Sequence, residues 1–283
     1  MRLSWQKMND RAFLKSAHRG VSPIPLFSPI LSATYVEQKT YTLTIEGKTF
    51  TVELNNWADQ AHGSVLVRLG DTMVLCTAVM NAHAREGGGD FFPLTVDYEE
   101  KFYATGRILG SRFMKRESRP SEEAILVSRL IDRSIRPRFD MRIRNEVQVI
   151  TTVLSIDEKN DPDVPALLGS SLALALSDIP WAGPIAGVRV GRPASPSKET
   201  KSALLLNPFY EERENSELDI IISGTTERIN MIEAGANEMP EAEFADAVEW
   251  GFGFIKQMIA FQQSIVAEHA ITKREVSMTP RAP

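Results

Sequence analysis

Residues 106–139 read Gly106-Arg107-Ile108-Leu109-Gly110-Ser111-Arg112-Phe113-Met114-Lys115-Arg116-Glu117-Ser118-Arg119-Pro120-Ser121-Glu122-Glu123-Ala124-Ile125-Leu126-Val127-Ser128-Arg129-Leu130-Ile131-Asp132-Arg133-Ser134-Ile135-Arg136-Pro137-Arg138-Phe139. A basic, glycine-containing loop runs into a helix with clear start and stop signals. Pro120 and the acids Glu122 and Glu123 stand early, where the helix dipole favours them. Pro137 ends the helix. Leu126, Leu130 and Ile131 at i, i+4 and i+5 predict its buried stripe. Arg107 to Arg144 carries eleven basic side chains against five acids, a local balance of +6 in a chain whose formal charge is −5. A concentrated basic strip on an acidic body points to a localised polyanion contact.

Working outward, the surrounding segments are mostly strands. Tyr41 to Leu54 alternates polar and apolar residues about Gly47-Lys48, which predicts a hairpin, and Ser64 to Met80 does the same about Gly70-Asp71. Further strands are expected at Phe92–Val96, Glu146–Ile156, Ile185–Val190, Ala203–Leu206 and Leu218–Ser223. A second helix, about Val164 to Ser177, is apolar nearly all round, so it should be buried, with Gly169-Ser170-Ser171 allowing close packing. A third runs about Glu241 to Glu268. Strand hairpins separated by helices, without strict βα alternation, favour an α+β fold. Arg192 to Thr200 reads as a surface insertion.

The 283 residues allow one large or two modest domains. Residues 1–36 read as a leader or a disordered extension, 37–240 as the main domain, and 241–283 as its C-terminal helix leading toward a helical linker. No secretory signal is evident, and no apolar run approaches the roughly 20 residues a membrane span needs. The lone cysteine, Cys76, excludes an intrachain disulfide. A cytoplasmic location fits this composition.

Arg129, Arg133 and Arg136 share one helix face at i, i+4 and i+7, and guanidinium forks suit phosphate oxygens. Phe113-Met114 followed by Lys115-Arg116 suits single-stranded nucleic acid: the ring stacks on a base and the cations hold the backbone. Solvated arginines, or arginines paired internally with Asp132 and Glu122, are the competing reading. His18, His62, His83 and His269 show no metal-ligand spacing. Gly87-Gly88-Gly89 lacks the ending of a phosphate-binding P-loop and reads as a hairpin tip. Trp181, between Pro180 and Pro184, reads as a packing corner.

Several motifs carry a resemblance. Tyr103-Ala104-Thr105-Gly106-Arg107-Ile108, Phe113-Met114-Lys115-Arg116-Glu117, Arg119-Pro120-Ser121-Glu122 and the run Arg129 to Pro137 resemble the polynucleotide phosphorylase family, in the first of its two RNase PH-type domains. The resemblance continues through Asn145 to Val149, Ala173 to Pro180 and Gly183-Pro184-Ile185, and covers roughly Tyr41 to Ala270. It implies an RNase PH-type fold and phosphorolytic 3′→5′ degradation of RNA, including messenger RNA, with inorganic phosphate as co-substrate and magnesium as cofactor. It also implies a homotrimeric ring that admits single-stranded RNA.

On the matching positions, the resemblance assigns Phe113, Met114, Lys115 and Arg116 to a channel-constriction loop, and Arg119, Arg129 and Arg133 to RNA contact. It places no catalytic or metal-binding residue in this half. Where the family's catalytic second domain has phosphate-binding serines, this chain has Asp161-Pro162-Asp163, which would repel phosphate. Glu211 and Glu217 fall where that domain has its paired aspartates, yet they read as solvated acids. The expectation is therefore an RNA-guiding half that binds no magnesium itself, with a non-enzymatic ring subunit of exosome type as the alternative.

Overall fold

The computed structural model describes residues 39–55, 57–84, 91–108, 119–193, 204–214, 216–276 and 278. The expectations for residues 1–36, Gly87-Gly88-Gly89, most of the Arg192–Thr200 insertion and the loop residues Phe113, Met114, Lys115 and Arg116 lie outside the described residues.

Tyr41 to Leu54 folds as the expected hairpin, with its turn at Glu46-Gly47, one residue before the expected Gly47-Lys48. Strands β1 (Lys39–Ile45) and β2 (Lys48–Leu54) pair antiparallel with Leu43 opposite Phe50. Glu46 and Gly47, at φ 47° and 71°, form the two-residue turn whose twist matches the flanking strands. Strands β3 (Gly63–Leu69) and β4 (Thr72–Ala84) make the second hairpin. With β5 (Leu94–Glu99) and β6 (Asn145–Ser155) they build a six-stranded sheet in the order β1-β2-β3-β4-β6-β5, in which only β5 and β6 are parallel.

The hydrophobic centre is α2 (Asp163–Ala175), every residue of which is buried. It lies on β3 and β4 and also touches β7 (Ala186–Pro193) of a second sheet. Close approach needs Gly169: a Cβ there would sit 2.5 Å from Cys76 Sγ and 3.0 Å from Val67 Cγ2. Cys76 is fully buried, and burial pushes its thiol up to about 12. Gly169→Ala should therefore cost about 1–3 kcal/mol through overpacking, read as a lower urea midpoint. Gly253→Ala, whose Cβ would meet nothing within 4 Å, is the control and should not destabilise.

The second sheet runs β10-β9-β7-β8, with β8 (Leu205–Leu206), β9 (Ser216–Gly224) and β10 (Ile229–Ala236), all antiparallel. A short helix, α3 (Tyr210–Glu214), precedes β9. The long helix α4 (Glu241–His269) lies across β7 and β9, burying Ala247, Gly251, Ile255, Met258, Ile259 and Ile265. Ser171 Oγ donates to Gln262 Oε1 (2.6 Å), and Gln262 Nε2 donates to the Ile185 carbonyl (2.7 Å), so α2, α4 and the entry to β7 share one buried polar tie. Trp181 is a packing corner: it is buried beside Phe139, and its ring N–H donates to the Ile135 carbonyl (3.2 Å). Among the described residues no helix is long and apolar enough to cross a membrane.

The helix of the opening segment, α1 (Glu122–Ile135), is capped by the Ser121 hydroxyl, which accepts from the Ala124 N–H (3.0 Å). Its buried face differs from the sequence expectation. Ala124, Leu130, Ile131, Ser134 and Ile135 are buried, whereas Leu126 is 58% exposed. The second sheet covers only the C-terminal half of α1: Ser134 Oγ contacts Ser223 Oγ at 2.7 Å, and Asn230 donates to the Ser134 carbonyl. Leu126, one turn before Leu130, lies beyond that cover.

Candidate nucleic-acid interface

At the C-terminal end of β5 the chain makes a 3-10 turn, Phe102–Thr105, closed by Gly106 at φ 69°. Arg107 and Ile108 follow, and the described chain resumes at Arg119. The two limbs are tied together, because the Ser121 hydroxyl donates to Glu100 Oε2 (2.6 Å). Arg107 and Arg119 are both exposed.

Along α1, the shared face of three arginines divides. Arg136 turns inward, its Nε and Nη2 donating to Asp132 and its Nη1 and Nη2 to the carbonyls of Phe92 and Leu94. It fastens α1 to the start of β5. Arg129 and Arg133 stay exposed, with Arg133 3.7 Å from Glu233 in a solvated pair worth little. Of the residues predicted to contact RNA, the structure thus places Arg119, Arg129 and Arg133 on the outside of one element and its approach, with their charges available.

A second assembly, at the N-terminus of α2, is built from the residues that replace the serine cluster. Asp161 and Asp163 face Arg189, whose Nη2 lies 3.1 Å from Asp161 Oδ2 and donates to Asp163 Oδ2 at 2.9 Å. Arg189 Nη1 donates to both oxygens of Asp219 (2.9 and 2.8 Å). Arg213 closes the ring, pairing with Asp161 and donating from Nε to Asp219 (3.2 Å). Burial, together with the charge of Asp161, holds the Asp163 carboxyl well above the usual carboxylate range. Burial also raises Asp161, but the Arg189 guanidinium and the hydrogen bonds from Asp163 outweigh it and bring that group below its ordinary value. Two guanidiniums thus face three carboxyl groups, and the surroundings of Asp163 favour its neutral form. The remaining space, lined by Leu69, Asp161, Val164, Arg189, Asn207 and Pro208, is about 10 Å³, room for at most one water.

This cluster was only half visible in the sequence. Glu211 is exposed on α3, and Glu217 faces Arg192 at 3.9 Å, so the acids that matched the family's metal pair by spacing do not converge. The residues six apart that do enter the cluster are Arg213 and Asp219, two positions further on. A usable signal was present: Arg189 stands between Val188 and Val190 in the expected strand Ile185–Val190, whose other residues are apolar, and such a charge needs buried partners. Among the described residues no group of three or more His, Cys, Asp or Glu is arranged to hold a metal ion. The donor set at Asp161, Asp163 and Asp219 does not fit magnesium, because two guanidinium groups already occupy its oxygens.

Comparison with known proteins bears on this geometry. The profile of the 3′ exoribonuclease family, domain 1, matches residues 46–180, the span of β2 to β6 with α1 and α2. The profile of the same family's domain 2 matches residues 183–253, the span of the second sheet and the start of α4. The chain belongs to the 3′ exoribonuclease family. It is 48% identical over 240 residues to a polyribonucleotide nucleotidyltransferase of Heliobacterium modesticaldum, covering 85% of this chain and 33% of the relative. Against the enzyme of the same name from Anoxybacillus flavithermus the identity is 49% over 243 residues, with the same coverage. The chain thus spans about a third of the length of the curated relatives it matches. In fold it is similar to Rrp46 of rice, with a TM-score of 0.57 at 13% identity, covering 83% of this chain and 96% of that one. The α+β, RNase PH-type architecture expected from the sequence is the one observed.

Proposed function

We propose that this chain is the RNA-binding, non-catalytic RNase PH-type half of a phosphorolytic 3′→5′ exoribonuclease that degrades messenger RNA in the cytoplasm. The observation that carries the reading is the closed ring of Asp161, Asp163, Asp219, Arg189 and Arg213. Phosphorolysis needs free donors for phosphate and free carboxylate oxygens for a divalent metal. In this ring the two are spent on each other.

Inorganic phosphate, magnesium and bond cleavage then belong to a second RNase PH-type domain, and Arg119, Arg129 and Arg133, with Phe113, Met114, Lys115 and Arg116, guide single-stranded RNA toward it. A homotrimeric ring supplies the channel. The alternative, a non-enzymatic subunit of an exosome-like ring, is less well supported, since identity near one half runs to polyribonucleotide nucleotidyltransferases and the likeness to rice Rrp46 is one of fold.

Incubated with poly(A), phosphate and magnesium, the chain should bind RNA and release no ADP. Robust ADP release would overturn the assignment of the cluster as inert. Lys115→Ala combined with Arg116→Ala should weaken binding of a poly(A) oligomer and flatten its salt dependence. Unchanged affinity would remove the loop from the interface.

A further inference from the structure

We infer that Tyr103 is a base-stacking platform for single-stranded RNA, on a turn flanked by the exposed arginines Arg107 and Arg119. The inference rests on the RNA-guiding reading above and adds a base-directed contact to what is otherwise a set of phosphate contacts.

The turn that carries Tyr103 is built as a fixed support. Ala104 is buried, and its carbonyl accepts from the Ile156 N–H (3.0 Å). The Gly106 N–H donates to the Tyr103 carbonyl (2.9 Å), and the Thr105 hydroxyl donates to the Phe102 carbonyl (3.0 Å). The backbone is therefore pinned on both sides of the ring, while Tyr103 itself is 57% exposed. A ring held outward by a tied-down backbone offers a ready face on which a base can stack.

The surroundings select the partner. Arg107 lies four residues along, past the left-handed Gly106, and Arg119 stands two residues before Ser121, whose hydroxyl is bonded to Glu100 just ahead of the turn. Neither arginine has an ion-pair partner among the described residues. An exposed aromatic ring on the same short stretch of surface chain as two exposed arginines matches a nucleotide: the base lies on the ring and the phosphates reach the cations. A protein partner would meet the same ring as an apolar contact, with no requirement for aromaticity.

Fluorescence anisotropy of the 283-residue chain with labelled oligo(A), and with an abasic oligoribonucleotide of equal length, tests the inference. Tyr103→Ala and Tyr103→Leu should each weaken oligo(A) binding roughly tenfold, leaving its salt dependence and the affinity for the abasic strand unchanged. Tyr103→Phe should bind as the parent does. Leucine binding as well as tyrosine, or equal losses on the abasic strand, would overturn the inference. The RNA-guiding reading fails separately, if replacing Arg129 and Arg133 leaves binding of both strands untouched.

Discussion

Replacing Arg189 with methionine is expected to destabilise the protein by about 3–5 kcal/mol, the largest stability effect of any substitution considered. Methionine fills nearly the same volume, so the loss is electrostatic. Arg189 is 6% exposed and is the one residue that reaches all three aspartates. Without it, Asp161 and Asp219 share only Arg213, and the buried carboxyl of Asp163 loses its guanidinium partner. Urea unfolding should show a midpoint lowered by roughly 1–2 M, for a denaturant slope of about 2–3 kcal/mol/M. A shift close to zero would mean that the cluster is loosely solvated and contributes nothing to the fold.

The two neighbouring aspartates should respond in opposite ways. Burial and the charge of Asp161 push Asp163 toward its neutral form, which an amide matches in shape and charge, so Asp163→Asn should cost less than about 1 kcal/mol at neutral pH. Asp161→Asn removes the carboxylate held by both arginines and should cost about 3 kcal/mol. Their pH dependence differs in sign. The folded pKa of Asp163 lies above its ordinary 3.8, so its contribution is fully present below that value and is lost as pH rises toward the folded value. The parent should therefore lose stability relative to Asp163→Asn as pH climbs above about 4. Equal costs for the two asparagine variants would show that the proton is misplaced.

Most of the architecture was legible because its signals are local. The turn at Glu46-Gly47 lies where the alternation of Tyr41 to Leu54 breaks, and α2 announces itself as a run with no polar face. Strand β10 was not legible. It is an edge strand with its last five residues exposed, so Glu233, Gly235 and their neighbours carry no alternation to read. Leu126 failed for a related reason: helical spacing fixes which residues share a face, whereas which turns of that face are covered depends on a sheet nearly one hundred residues away. The cluster at Asp161 was the hardest case. Its members come from the start of α2, from β7, from α3 and from β9, and only the fold makes them neighbours.

Replacing Arg119, Arg129 and Arg133 together with alanine should produce the largest functional effect. Each is exposed, so none of the charge is committed to holding the fold. Arg133 has only a distant, solvated partner in Glu233, and thermal stability should stay within about 1 °C of the parent. Binding should behave differently. Each phosphate neutralised on a single strand contributes about 0.7 to the slope of log affinity against log salt, so three lost contacts should reduce that slope by about 2. The same arithmetic lowers affinity near 0.1 M salt by roughly one hundredfold. Phosphate contacts carry no sequence information, so oligo(A) and oligo(U) should lose affinity equally. That separates these arginines from Tyr103, whose removal should leave the slope intact and act only where a base is present. A titration series in rising potassium chloride decides the matter. An unchanged slope in the triple variant would mean that the exposed face of α1 is solvated surface and that RNA, if bound, runs elsewhere.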